Sequence, residues 1–298
     1  MKIPITLMLV LALSSPAPQY HWFASGDGQR IAYTVQGRGP AMLVVPGGPG
    51  LDGAYMRAAV KGLDAKAYIM DPRGTGASHV PETPQFINVG NILIDMERLR
   101  RSLHLQRWIV MGHSFGGYLA QAYAARYPNR VAALLLVSSS APDLSLEAQV
   151  QREFSHVTAT DQATLNGLRA LSVKHPDAAM HIQMDTLLPY YFADRSKWPQ
   201  VKPLMDPPHN SYAMARALYV DLGSNHSTGS LRALRAPVLA IYGQKDGGVD
   251  VFSRAIEQNT AHVRVAVVKD AGHFVWIEQP QVFRRTVNSF LDGVRHLH

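Results

Sequence analysis

Short apolar runs rich in valine and isoleucine recur along the chain, separated by longer stretches whose apolar residues repeat every three or four positions. The short runs predict strands at 30–35, 41–45, 67–70, 108–111, 131–137, 238–242 and 263–268. Between them Val89, Ile92, Met96, Leu99 and Leu103 mark one apolar face of a helix. A second helix is predicted over 114–127 and a third over 281–294. Strands alternating with helices predict an α/β fold: a mainly parallel sheet covered on both faces, because parallel neighbours need crossovers that lie over the sheet. The runs at 30–35 and 41–45 are close enough to form a hairpin ahead of that pattern.

From about 142 to 231 the rhythm changes. No run reads as a buried strand; Met184, Leu187, Leu188 and Tyr191 have helical spacing, and DPPHN at 206–210 interrupts. The organisation expected is a core from 18 to 141, a helical cap from 142 to 231, and a second core part from 232 to 298. Insertions on a rigid sheet are where substrate contacts usually lie.

The 47% hydrophobic and 17% charged fractions of these 298 residues exclude a disordered or membrane-spanning chain. The start is different. Lys2 precedes an apolar run at 3–13, followed by small residues and prolines, which is the layout of a secretory signal over 1–17. The run is too short to span a bilayer as a helix. A secreted or periplasmic location is expected, or a cytoplasmic one if the segment is kept, with no stable membrane anchor after its removal. There is no cysteine, hence no disulfide framework and no thioether lipid site. The net charge of +7 is scattered, and its densest group, Arg98, Arg100 and Arg101, lies on a helical pattern. A solvated helix face is expected there rather than a nucleic-acid groove, so the expected partner is a small-molecule or short-peptide substrate.

The chemistry centres on Gly112-His113-Ser114-Phe115-Gly116, a glycine-rich turn between a predicted strand and a predicted helix. The pentapeptide alone is a weak signal, and a local reading would make Ser114 a helix N-cap. Strand–turn–helix, however, is the setting of a nucleophile elbow. A serine hydroxyl needs a base to take its proton. His273, beyond the run at 263–268, is the base expected, and Asp246, beyond the run at 238–242, the acid that orients it. Asp250 is the fallback acid, and His113 is read as packing because neighbouring side chains at such a turn diverge. The Phe115 N–H is one expected oxyanion donor. The other comes from PGGPG at 46–50, with Gly48 favoured and Gly47 possible. No metal or organic cofactor is needed; there is no HExxH motif and the remaining histidines are dispersed.

These residues resemble the α/β-hydrolases and, within them, the proline iminopeptidase group. The resemblance is carried by GGPG at 47–50, DPRGTGAS at 71–78, DMERLRRSL at 95–103, the elbow, and AGHFVWIEQP at 271–280. It implies an eight-stranded sheet with a helical cap and a serine hydrolase acting on small esters or amides through an acyl-enzyme. Asp71 and Arg73 would shape a loop near the site. Pro46 and Pro72 depart from the family's usual His and Gln, and the elbow histidine departs from its usual Gly-Gly-Ser-Trp-Gly. A proline iminopeptidase also needs cap carboxylates for the substrate ammonium; Glu147, Glu153, Asp185, Asp194 and Asp221 are the candidates. Among the aromatic residues Tyr190, Tyr191, Phe192 and Trp198, we take Tyr191 and Trp198, with Gly47, as substrate-binding candidates. Carboxylesterase or lactonase activity is the alternative, a lyase using the same triad is a further one, and a ligand-binding receptor on a hydrolase scaffold is a reading of another class.

Overall fold

In the computed structural model, which describes residues 18–146, 157–223 and 227–295, all seven apolar runs form strands. The expected signal at 1–17 lies outside the described residues. The strands are β2 (Arg30–Gly37), β3 (Ala41–Val45), β4 (Lys66–Met70), β5 (Trp108–His113), β6 (Val131–Val137), β7 (Val238–Gly243) and β8 (Val263–Val268), preceded by an unforeseen β1 (Tyr20–Ala24). They make one eight-stranded sheet ordered β1-β2-β4-β3-β5-β6-β7-β8. Pairing is antiparallel for β1 with β2 and β2 with β4, and parallel from β4 onward.

The hairpin expected between 30–35 and 41–45 does not form. Strand β3 lies between β4 and β5, while β2 pairs with β1 and β4. Burial explains the choice: Met42, Leu43, Val44 and Val45 are all fully buried, so both faces of β3 and both its edges must be covered. The connection is built for close approach, since a Cβ on Gly37 would lie 2.4 Å from the Ala65 carbonyl oxygen.

Alternation along the central strands divides the core in two. Leu43, Val45, Val110, Leu134 and Leu136 face helices α2 (Val89–Ser102) and α3 (Phe115–Arg126). Met42, Val44, Ile109, Met111 and Leu135 face α1 (Met56–Val60) on the other side, joined by Phe283, Val287 and Leu291 of the C-terminal helix. The Asn88 side chain caps α2 through the Asn91 N–H at 2.8 Å.

Between β6 and β7 the described residues hold α4 (Ala159–Lys174), α5 (Pro176–Leu187), short 3₁₀ turns and α6 (Tyr212–Leu222), with no sheet strand. Met214, Ala217 and Leu218 of α6 join the α2–α3 core, and Asp221 accepts the Val89 N–H at 2.9 Å. Helices α7 (Val249–Asn259), α8 (Val275–Glu278) and α9 (Pro280–Arg295) complete the chain.

Candidate active site

Three loops meet the carboxyl ends of β5, β7 and β8. Strand β5 ends at His113 and α3 begins at Phe115, which leaves Ser114 alone in the bend at φ 54° and ψ −125°. A non-glycine residue in the left-handed half of the map stores strain that its surroundings must hold. They do: the Ser114 N–H donates to the Val137 carbonyl at 3.1 Å, and its own carbonyl accepts from Gly117 and Ser140. The flanking glycines are obligatory. A Cβ on Gly112 would sit 2.2 Å from the Gly116 oxygen, and one on Gly116 would sit 2.3 Å from the Val45 oxygen.

Asp246 follows β7 and is buried; His273 follows β8 and is partly exposed. The His273 Nδ1 lies 2.9 Å from Asp246 Oδ1, which leaves Nε2 as the nitrogen available for proton transfer. A Cβ on Gly243 would lie 2.2 Å from the Gly272 oxygen, so glycine allows these two loops to touch. The histidine loop is held by the His273 N–H donating to the Tyr191 carbonyl at 2.8 Å, and by the Gly272 N–H donating to Glu278 at 2.6 Å. The structure thus joins Asp246 to His273. Among the described residues the Ser114 hydroxyl is not hydrogen-bonded to His273, a contact that in many enzymes tightens only in the substrate complex. Asp250 is exposed in the first turn of α7 and makes no bond to His273.

In the glycine loop, the Gly47 N–H is already spent: it donates to Tyr55 Oη at 2.5 Å. Gly47 instead packs on Ser114, whose Cβ an added Cβ would meet at 2.8 Å. Gly48 adopts φ 114°, open to glycine alone, and neither its N–H nor that of Phe115 has an acceptor among the described residues.

Of the aromatic candidates, Tyr191 stands against His273 with ring centroids 5.0 Å apart. Trp198 packs half-buried on the α1-side core, and among the described residues it makes no ring contact or side-chain hydrogen bond with His273. Phe192 stacks on Phe274, and Tyr190 bonds Asp161, so both serve packing. The acidic candidates within the described residues are engaged elsewhere. Asp185 pairs with Lys202 at 2.6 Å, Asp194 accepts from Ser196, and Asp221 caps α2. Glu147 and Glu153 lie outside the described residues. One cluster, His181, Asp185 and Asp206, has the donor types of a cation site, but the Lys202 ammonium already bonds both carboxylates there.

The loop residues Asp71 and Arg73 are buried. Arg73 is bonded to Asp95, Asp27, Ser25 and the Phe86 carbonyl, and Asp71 accepts the Gly53 and Ala77 N–H groups. Burial, with Asp52 nearby, pushes the Asp71 carboxyl up to about 6 despite those two donors. His113 does turn away from Ser114 into the core, as divergence at the turn implies, yet it is not inert filler: it bonds Tyr55 and the His273 backbone. Sequence offers no spacing rule that links those three residues.

Strained serine, glycine loop and carboxylate–imidazole pair at one end of this sheet define the fold family, and the chain belongs to it: residues 40–280 match the alpha/beta hydrolase fold model. The chain is 26% identical over 268 residues to the 2-hydroxymuconate semialdehyde hydrolase of Pseudomonas putida, covering 90% of this chain and 89% of that one. Its fold is similar to an esterase from Thermogutta terrifontis (TM-score 0.71, 21% identity, 93% and 99% covered). It is also similar to a proline iminopeptidase from Mycobacterium smegmatis (TM-score 0.68, 19% identity, 93% and 98% covered). Among the described residues no helix is long and apolar enough to cross a membrane.

Proposed function

We propose that the chain is a serine hydrolase of small carboxylic esters, lactones included, working through an acyl-enzyme. The observation that carries this is the Asp246–His273 hydrogen bond on the loops after β7 and β8, with a strained serine after β5 of the same sheet. His273 Nε2 takes the Ser114 proton as Oγ attacks the carbonyl. Asp246 holds the imidazole in the tautomer that leaves Nε2 free and stabilises the cation that forms. The Gly48 and Phe115 N–H groups bind the oxyanion, and Gly47, its N–H engaged, contributes by close packing alone. Protonated His273 gives its proton to the leaving alcohol, and the same base then activates water to release the acid.

Ester rather than peptide substrates are favoured by the insertion, which we take as the cap. Asp185, Asp194 and Asp221 each have a partner already, so none of them offers a free carboxylate to a substrate ammonium. Tyr191, against His273, is the cap residue we place at the acyl group. The second reading, release of an N-terminal proline or other small residue, is favoured by the glycine and histidine loop motifs. A panel of short-chain aryl esters, lactones, and proline and alanine arylamides, run on wild type and Ser114→Ala, separates them. Ester turnover that disappears in Ser114→Ala is expected; faster turnover of proline arylamides would give the second reading, and turnover unaffected by Ser114→Ala would end both.

A further inference from the structure

Between the glycine loop and the histidine loop lies a buried imidazole to which the reaction outlined above gives no part. His113 is 2% exposed, and its ring is surrounded by those of Tyr55, His273, Phe274 and Trp276. Its Nδ1 lies 2.9 Å from Tyr55 Oη and its Nε2 lies 3.3 Å from the His273 carbonyl oxygen. Tyr55, as deeply buried, takes the Gly47 N–H at 2.5 Å.

The partners fix the proton directions. A carbonyl can only accept, so His113 Nε2 carries hydrogen. A neutral imidazole has one such hydrogen, so Nδ1 accepts and the Tyr55 hydroxyl donates to it. The Gly47 N–H then fills the acceptor side of the same hydroxyl. Each side chain gives one hydrogen and receives one, and the relay runs one way from the Gly47 amide to the His273 carbonyl. It needs His113 neutral, and burial beside His273 holds its pKa well below the usual imidazole value.

We propose that Tyr55 and His113 are positioning residues of the hydrolytic site, whose buried relay holds the glycine loop and the histidine loop in register with Ser114. The inference rests on the hydrolase reading above. Neither residue is assigned contact with reacting atoms. One end of the relay is the residue that packs on the Ser114 Cβ, the other is the backbone of the base itself. Misplacement by about 1 Å at such a site costs roughly 10²-fold in rate.

Tyr55→Phe keeps the ring and deletes the hydroxyl; His113→Leu deletes both ends of the imidazole's bonding; His113→Gln keeps a donor for the His273 carbonyl. On an ester that the wild type hydrolyses, the first two should each lower kcat about 10²-fold with KM little changed. His113→Gln should recover part of that loss, and the double variant Tyr55→Phe, His113→Leu should be no worse than the poorer single one, because both break one relay. Lowered stability with unchanged kcat, or losses that multiply, would overturn the proposal. Imidazole nitrogen shifts of the wild type give a readout independent of activity: His113 should show the neutral Nε2–H tautomer, and an Nδ1–H tautomer or an imidazolium would overturn it even if no variant folds. Labelling of wild-type Ser114 by an alkyl fluorophosphonate keeps the two ideas apart. Absence of labelling counts against the hydrolase reading; labelling and turnover with an unaltered kcat in Tyr55→Phe count against the relay alone.

Discussion

The buried carboxylate of Glu278 accepts the backbone N–H of Gly272 at 2.6 Å, one residue before His273. Its other oxygen accepts the Asp194 N–H at 2.8 Å, so one side chain ties the histidine loop to the helical insertion. Glu278→Ala leaves two N–H groups without their acceptor, at roughly 1–3 kcal/mol for each group that stays buried. Its melting temperature should fall, and kcat with it as the imidazole loses its support. Glu278→Gln keeps one acceptor oxygen and should lie between. Thermal denaturation and ester kinetics on the three proteins check this, and an Ala variant that melts like wild type refutes it.

The acid of the proposed triad is separable from its neighbour by single substitutions. Asp246→Asn keeps the shape but no longer requires a hydrogen on His273 Nδ1, and the wrong tautomer costs on the order of 10⁴ in kcat. Asp250, exposed on α7, has no bond to the imidazole, so Asp250→Asn should hydrolyse esters at the wild-type rate. Steady-state kinetics of the pair decide: a large loss in Asp250→Asn with a small one in Asp246→Asn would move the acid to α7.

Asp71 makes stability depend on pH in an unusual direction for a carboxylate. Its folded pKa is raised from the ordinary 3.8 to about 6, chiefly by burial. Between those values the folded chain binds the proton that the unfolded chain has released. This group's contribution therefore falls as pH rises from about 4 to about 6 and is lost above that. Asp71→Asn, which cannot titrate, should show a smaller decline across that window. Urea denaturation at several pH values tests it, and identical slopes in the two proteins count against the assignment.

Much of this fold is written in local pattern. The valine- and isoleucine-rich runs of β3, β5, β6 and β7 are strands with two parallel neighbours and are buried on both faces, whereas β2, which pairs antiparallel, and β8, at the sheet edge, are buried only in part. Strand β1 escapes that rule: in Tyr20–Ala24 only Phe23 is buried and Trp22 is 46% exposed, as befits an edge. The 30–35/41–45 hairpin failed for a related reason. Proximity in sequence suggested pairing, but full burial of β3 demanded two parallel neighbours from distant segments. At the site, chain order alone places Asp246 beside His273, because loops after adjacent strands emerge at one sheet edge. What sequence could not provide is the set of contacts between loops: Gly47 with Tyr55, Tyr55 with His113, Glu278 with Gly272. None has a periodicity or a motif; each depends on how two distant backbones come to rest.

Another such contact joins the glycine loop to the insertion. Asp52, 2% exposed, lies 2.7 Å from His209 Nδ1, and its N–H donates to the His209 carbonyl at 3.0 Å. Next to it the Ser211 N–H donates to the Gly50 carbonyl at 2.8 Å, and Leu51 bridges Asn210. The segment that interrupts the insertion's helices is therefore fastened to the loop proposed to bind the oxyanion. His209→Ala takes one partner from a buried carboxylate, although Asp52 keeps the Ala54 N–H at 2.8 Å. Because the imidazole is partly exposed and water can replace some of it, the loss of stability should be modest, about 1–2 kcal/mol. The loop should loosen more than the fold does. Amide exchange at Asp52 and Ser211 should quicken in His209→Ala while the amides of β5 and β6 stay protected, and KM should rise if substrate is held between the two segments. His209→Gln, which keeps a donor, should restore slow exchange. Equal acceleration across the whole sheet would mean that the pair supports the fold generally, and that the loop and the insertion are not coupled through it.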